Sequence, residues 1–154
     1  MAIHTSNSAA DFGKKLRTRI EELKDRVNSM RGKRVIVGIP QSARYPNGKS
    51  VAEVANLIAD GVLDNGAPSS KPPRPFIRIA TEENRLRWNR IMQDGIREAL
   101  RAQQKPNLRP LMIKVGERMQ HDIKETMMEL DVYDTGRMHN SISILQVNND
   151  RIQA

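Results

Sequence analysis

An α+β fold is predicted, with long helices packed on a small, mainly antiparallel β-sheet and an N-terminal helical arm. Three observations carry that expectation. Apolar residues recur at helical spacing over two long stretches, about 79–104 and 108–130. Two short runs rich in β-branched residues, RVIVGIP at 34–40 and SISILQV at 141–147, read as strands. Ahead of both lies a basic amphipathic segment with helical spacing of its own. The order helix, strand, helix, helix, helix, strand places helices against a sheet rather than alternating with parallel strands.

The first helix is expected over residues 8–30. Phe12, Leu16, Ile20, Leu23, Val27 and Met30 follow one another at intervals of four, four, three, four and three, which draws a single apolar stripe. Lys14, Lys15, Arg17, Arg19, Lys24 and Arg26 fill the other faces, and Gly32 closes the helix. Val35, Ile36, Val37 and Ile39 form a strand ended by Pro40. With both faces apolar, this strand is expected inside the sheet rather than at its edge. Pro46-Asn47-Gly48 marks a turn.

Ser50-Val51-Ala52-Glu53 has the spacing of a capping box, in which the hydroxyl and the carboxylate satisfy free amides at a helix start. Val51, Val54, Ala55, Ile58 and Val62 give that helix its apolar face, and Gly61 ends it. Pro72, Pro73 and Pro75 hold 71–76 extended. The long helix that follows turns Trp88, Ile91, Met92, Ile96, Ala99 and Leu100 inward. The next buries Leu111, Met112, Val115, Met119, Ile123 and Met127, with Pro110 tolerated in its first turn. Asp134-Thr135-Gly136 makes a tight turn into the second strand, where Ile142, Ile144 and Gln146 share a side. Two strands are too few to stand alone, so a third is required from the loop at 40–49, from the tail or from a neighbouring subunit. The chain therefore divides into a basic helix at 1–32, an α+β core at 33–147 and a polar tail at 148–154.

Composition narrows the function classes. The chain has 154 residues and no cysteine, which excludes disulfides and cysteine-based metal sites. Aromatics are 3% of the residues, so an isolated core built from aliphatic and methionine side chains is thin and gains from subunit contacts. No signal-peptide core or membrane span is visible, and the expected location during synthesis is the cytosol, with no membrane partner. Residues 1–49 hold 11 Lys/Arg against 4 Asp/Glu, a balance of +7, while residues 50–154 hold 15 against 14, a balance of +1. Lys14, Lys15, Arg17 and Arg19 are thus candidate contacts to DNA or to an acidic protein face. Scattered aromatics and the absence of a helix-turn-helix pattern point to non-specific proximity rather than sequence readout.

Catalytic and metal chemistry find little foothold. Asp134-Thr135-Gly136 matches the triplet of aspartic proteases, which would need a symmetric dimer to supply a second carboxylate. The simpler reading is a turn in which Gly136 takes an unusual backbone angle and Asp134 or Thr135 caps. His4, His121 and His139 lack ligand spacing and read as exposed polar groups. No catalytic residue, cofactor or metal ligand is expected.

Pro72-Pro73-Arg74-Pro75-Phe76-Ile77-Arg78 and Asp134-Thr135-Gly136-Arg137-Met138-His139-Asn140-Ser141-Ile142 resemble two segments of the lambdoid tailed-phage minor tail and neck (tail-completion) proteins. Ser50–Ala55 is similar to the small helix that precedes the proline segment in that family. The resemblance spans about residues 34–147. Where many relatives carry an aromatic-glycine pair, this chain has Ala59-Asp60-Gly61-Val62, which implies a different contact at that loop. The resemblance implies a non-enzymatic virion protein of the head–tail neck. It would form a six- or twelve-fold ring and touch connector or portal-side subunits and tail or tail-terminator subunits. Pro73, Arg74, Pro75, Phe76 and Arg78 would then be a docking strap anchored by Phe76, or else an internal clamp at the start of the long helix.

Overall fold

The structure is a computed structural model that describes residues 6–102, 107–132, 136–148 and 150–151. Long helices pack on a small antiparallel sheet, as the α+β pattern requires. The sheet comprises β1 (Val35–Gly38), β2 (Ser143–Val147) and β3 (Asp150–Arg151) in the order β1-β2-β3. Val35 pairs with Val147 and Gly38 with Ser143; β3 returns onto Gln146 and Val147. The third strand therefore comes from the tail, one of the three sources expected for it. Asn148 turns the chain there with φ 59, a left-handed angle that asparagine tolerates better than most residues.

β1 lies at an edge of this sheet, not inside it, which corrects the reading from its apolar run. Four apolar residues in a row show affinity for burial but not how many strands flank them. Here a helix covers the face carrying Val35, while Ile36 is exposed. A register shift between Ile36 and Val37 interrupts the ladder, a device that blunts an open edge.

The loop at 40–49 folds back through a bridge between Arg44 and Ser50. Helix α2 (Val51–Asp60) begins there, with the Glu53 amide donating to the Ser50 hydroxyl, and ends at Gly61 with φ 68. Val62 falls outside the helix and bridges to Pro68 instead. Helix α3 (Phe76–Arg101) starts directly after Pro75, so the extended segment is shorter than its prolines suggested. Helix α4 (Arg109–Glu129) runs antiparallel to α3, since Trp88 meets Asp122 while Gly95 meets Leu111. A Cβ on Gly95 would stand 2.3 Å from Leu111 Cδ1, and one on Gly116 would stand 2.9 Å from Ile144 Cδ1. These two glycines let α3 and β2 approach α4 closely.

Burial follows from this arrangement. Val51, Phe76, Ala80, Ile123, Met127 and Ile142 belong to one core cluster where α2, α3 and α4 converge. Leu108, Met112 and Val147 form a second one, with Met30, Val35 and Met92 packed around it. Asp134 and Thr135 lie outside the described residues. Beyond them, Gly136 with φ 74 opens a single helical turn, α5 (Arg137–Ser141), and the strand begins only at Ser143. The expected turn straight into a strand at 141 is replaced by this turn of helix, which buries Met138 and leaves Ile142 fully enclosed.

Helix α1 (Ser6–Met30) stands apart in kind. Its last turn is tied down: Met30 joins the second cluster, and the Arg26 guanidinium donates to the carbonyls of Ala102 (2.7 Å) and Leu100 (3.5 Å). Arg26 thereby satisfies carbonyls that the end of α3 leaves free and complements its dipole. Among the described residues, the rest of the α1 stripe stays exposed from Phe12 to Val27.

Candidate interaction surface

Along α1, Phe12 is 68% exposed, Leu16 50%, Ile20 44%, Leu23 43% and Val27 44%. Heptad-like spacing from Leu16 onward makes this a narrow seam of the kind that pairs with other helices. Lys14, Lys15, Arg17 and Arg19 are all exposed on the same helix. Lys15 pairs with Asp11 at 3.2 Å and Lys24 with Glu21 at 3.0 Å, both in open solvent, where such pairs contribute a few tenths of a kcal/mol. A helix of this kind gains little stability by itself in water.

The proline segment has a different role from a free strap. Phe76 is only 2% exposed and sits inside the first core cluster, so its ring is not offered to a neighbour. Its anchoring in a partner's pocket is corrected on that ground. The Arg74 guanidinium donates to the Asp131 carbonyl at 2.6 Å and approaches the Leu130 carbonyl at 3.4 Å, closing the end of α4. The Arg74 amide donates to the Ile58 carbonyl at 3.0 Å, near the end of α2. A Cβ on Gly61 would come within 2.8 Å of the Pro73 backbone nitrogen. Pro73, Arg74, Pro75 and Phe76 thus clamp three helices together, while Arg78 and the outer face of Pro73 remain exposed.

Around the second motif, Arg137 is exposed and its Nε donates to the Arg44 carbonyl at 2.9 Å, linking α5 to the loop before α2. His139 is half-buried rather than exposed, beside a cleft of about 500 Å³ that Tyr45, Val132 and Met138 also line. His121 is exposed and pairs with Glu125 at 3.1 Å. His4 falls outside the described residues.

Sequence reasoning missed the most consequential polar group. Asp122 is 1% exposed, in the middle of α4. Its Oδ2 accepts from the Trp88 indole at 2.7 Å. Its Oδ1 lies 2.9 Å from guanidinium nitrogens of both Arg87 and Arg118, in ion pairs without the alignment of hydrogen bonds. Two cations and one donor neutralise a charge that burial alone would make costly. The signal was present but weak: an aspartate inside an apolar arc, with an arginine four residues before it and an arginine-tryptophan pair on the facing helix. His121, Asp122 and Glu125 bring ligand atoms within 4.8 Å of one another, yet Asp122 is already committed to the two arginines. A cation there would have to displace them.

Comparisons with protein-family models, with characterised proteins and with solved structures give no match to this chain.

Proposed function

We propose that the chain is a non-catalytic structural subunit of the head–tail neck, or tail-completion complex, of a tailed bacteriophage. In this reading it forms a ring between connector and tail and resides in the virion. The observation that carries the reading is the placement of the segments that bear the resemblance. The small helix α2 precedes the prolines, the long α3 follows them directly, and α4 leads to the 134–142 segment ahead of β2. That order is the one the resemblance implies. The exposed α1 seam adds a surface suited to a protein partner.

A second reading has an observation of its own. Lys14, Lys15, Arg17 and Arg19 are exposed on one helix, which suits a non-specific contact with the DNA backbone. Electron microscopy of particles assembled without this chain tests the first reading. Tailless heads beside free tails are expected, and normal joining with a monomeric protein overturns it. Charge reversal at Lys14, Lys15 and Arg17 tests the second, where unchanged and salt-insensitive DNA affinity removes it.

A further inference from the structure

The α1 seam has cations along both of its edges. On a helical wheel Lys15 and Arg19 border one side, and Arg17 and Lys24 the other. The carboxylates Asp11, Glu21 and Asp25 lie toward the back of the helix. Pairing two copies of α1, parallel or antiparallel, would set like charges against each other along the seam. A membrane surface is a poor fit as well, because a single-file seam is narrower than the apolar face of an interfacial helix. The complement is an apolar groove between two helices with an acidic rim.

The chain carries such a groove. Between α3 and α4 lies an open cleft of about 590 Å³, floored by the half-buried Ile91, Gly95, Ala99 and Leu111. Asp94 and Glu98 stand exposed on its α3 rim and Lys114 on its α4 rim. At the floor Gly95 lets the Leu111 side chain close onto α3, since a Cβ there would stand 2.3 Å from Leu111 Cδ1. From Phe12 to Val27 the seam is about 22 Å long, and from Ile91 to Ala102 the α3 wall is about 17 Å, so the two match within a turn of helix. The Asp94–Arg97 ion pair is exposed on both sides and yields easily to a competing cation.

We propose that α1 of one copy docks its apolar seam in the α3–α4 groove of a second copy, with Arg17 and Lys24 facing Asp94 and Glu98. Along the opposite edge Lys15 and Arg19 share a side with Lys114 and only Glu22 opposes it, so the electrostatic match rests on Asp94 and Glu98. The contact joins two different surfaces, so repetition closes a ring or extends a filament. This specifies the subunit contact of the proposed neck ring and rests on that reading.

Sedimentation velocity of the full chain and its variants tests the contact. The unaltered chain is expected to associate. Leu16→Glu with Ile20→Glu removes the seam, and Asp94→Lys with Glu98→Lys inverts the rim. Each pair should weaken association by about a hundredfold or more while the far-UV dichroism and the melting temperature in dilute solution hold. Mixing the two variants should give a dimer and nothing larger, because one intact arm meets one intact groove. Adding Arg17→Glu and Lys24→Glu to the inverted rim should restore association. Association that survives the rim inversion overturns this docking site and leaves the ring reading standing. A chain that stays monomeric at the highest attainable concentration overturns the docking site, and overturns the ring as well if head–tail joining proceeds without the protein.

Discussion

Helices α1 and α4 carry apolar stripes of nearly the same spacing, and they meet opposite fates. On α4, Met112, Val115, Ile123 and Met127 are at most 3% exposed, sealed by α3 on one side and by β1, β2 and the α2 region on the other. On α1, residues of the same kind are 43–68% exposed from Phe12 to Val27. The interior helix also carries an aspartate in the middle of its buried arc, whereas the exposed helix keeps its seam free of charge. A hydrophobic period therefore defines a face but not its cover. What separates the two is connection: α4 is pinned along its length by neighbours on both sides, while α1 is tied at its last turn by Met30 and Arg26.

The largest expected effect tests the polar half of that contrast. Asp122→Ala leaves two guanidinium groups and an indole N–H facing each other without their acceptor. A loss of about 2–5 kcal/mol is expected, from the stranded indole donor and from two charge-assisted contacts whose guanidinium groups, on side chains 49% and 37% exposed, rehydrate in part. Urea denaturation measures it, and a loss below about 1 kcal/mol would show that the Trp88 indole finds another partner once the carboxylate is gone. Next in size is Ile123→Ala, which opens a cavity in the first core cluster and should cost about 2–4 kcal/mol with an unchanged oligomeric state.

A smaller effect probes the clamp. Gly61 combines φ 68 with the close approach of Pro73, and the obstacle is a backbone atom that cannot swing aside. Gly61→Ala should cost about 1–3 kcal/mol through left-handed strain and overpacking. Thermal melting followed by the Trp88 fluorescence reads the change. An unaltered melting temperature would mean that the proline segment is not held against α2.

How much of this was legible in advance depends on the range of the interaction. Helix ends written by local chemistry were readable: Ser50 and Gly61 bound α2, and Pro110 sits in the first turn of α4. The α+β class followed from the two periods. Contacts between distant segments were not readable. Nothing near Val35 announces that its strand is an edge, because strand order depends on where residues 143–151 return. Phe76 read equally as a docking anchor or as part of an internal clamp, because its burial depends on α2 and α4. Asp122 needed Arg87 and Trp88, more than thirty positions away, to make sense of it. The α1 seam was readable as a pattern, and only the folded chain shows that it is left open.

The smallest expected effect sharpens the comparison most. Ile20→Ala makes on α1 the change that Ile123→Ala makes on α4. In dilute solution, where copies are separate, Ile20 already meets water and its removal opens no cavity. Alanine also has the higher helix propensity, which offsets part of any lost contact. The expected change in unfolding free energy is within about 0.5 kcal/mol of zero, as for other surface positions. Repeating the denaturation at high protein concentration should reveal a cost that was absent on dilution, since a covering subunit stabilises the folded state by mass action. If Ile20→Ala costs as much on dilution as Ile123→Ala does, the seam is covered within its own chain. The contrast between the two helices would then collapse.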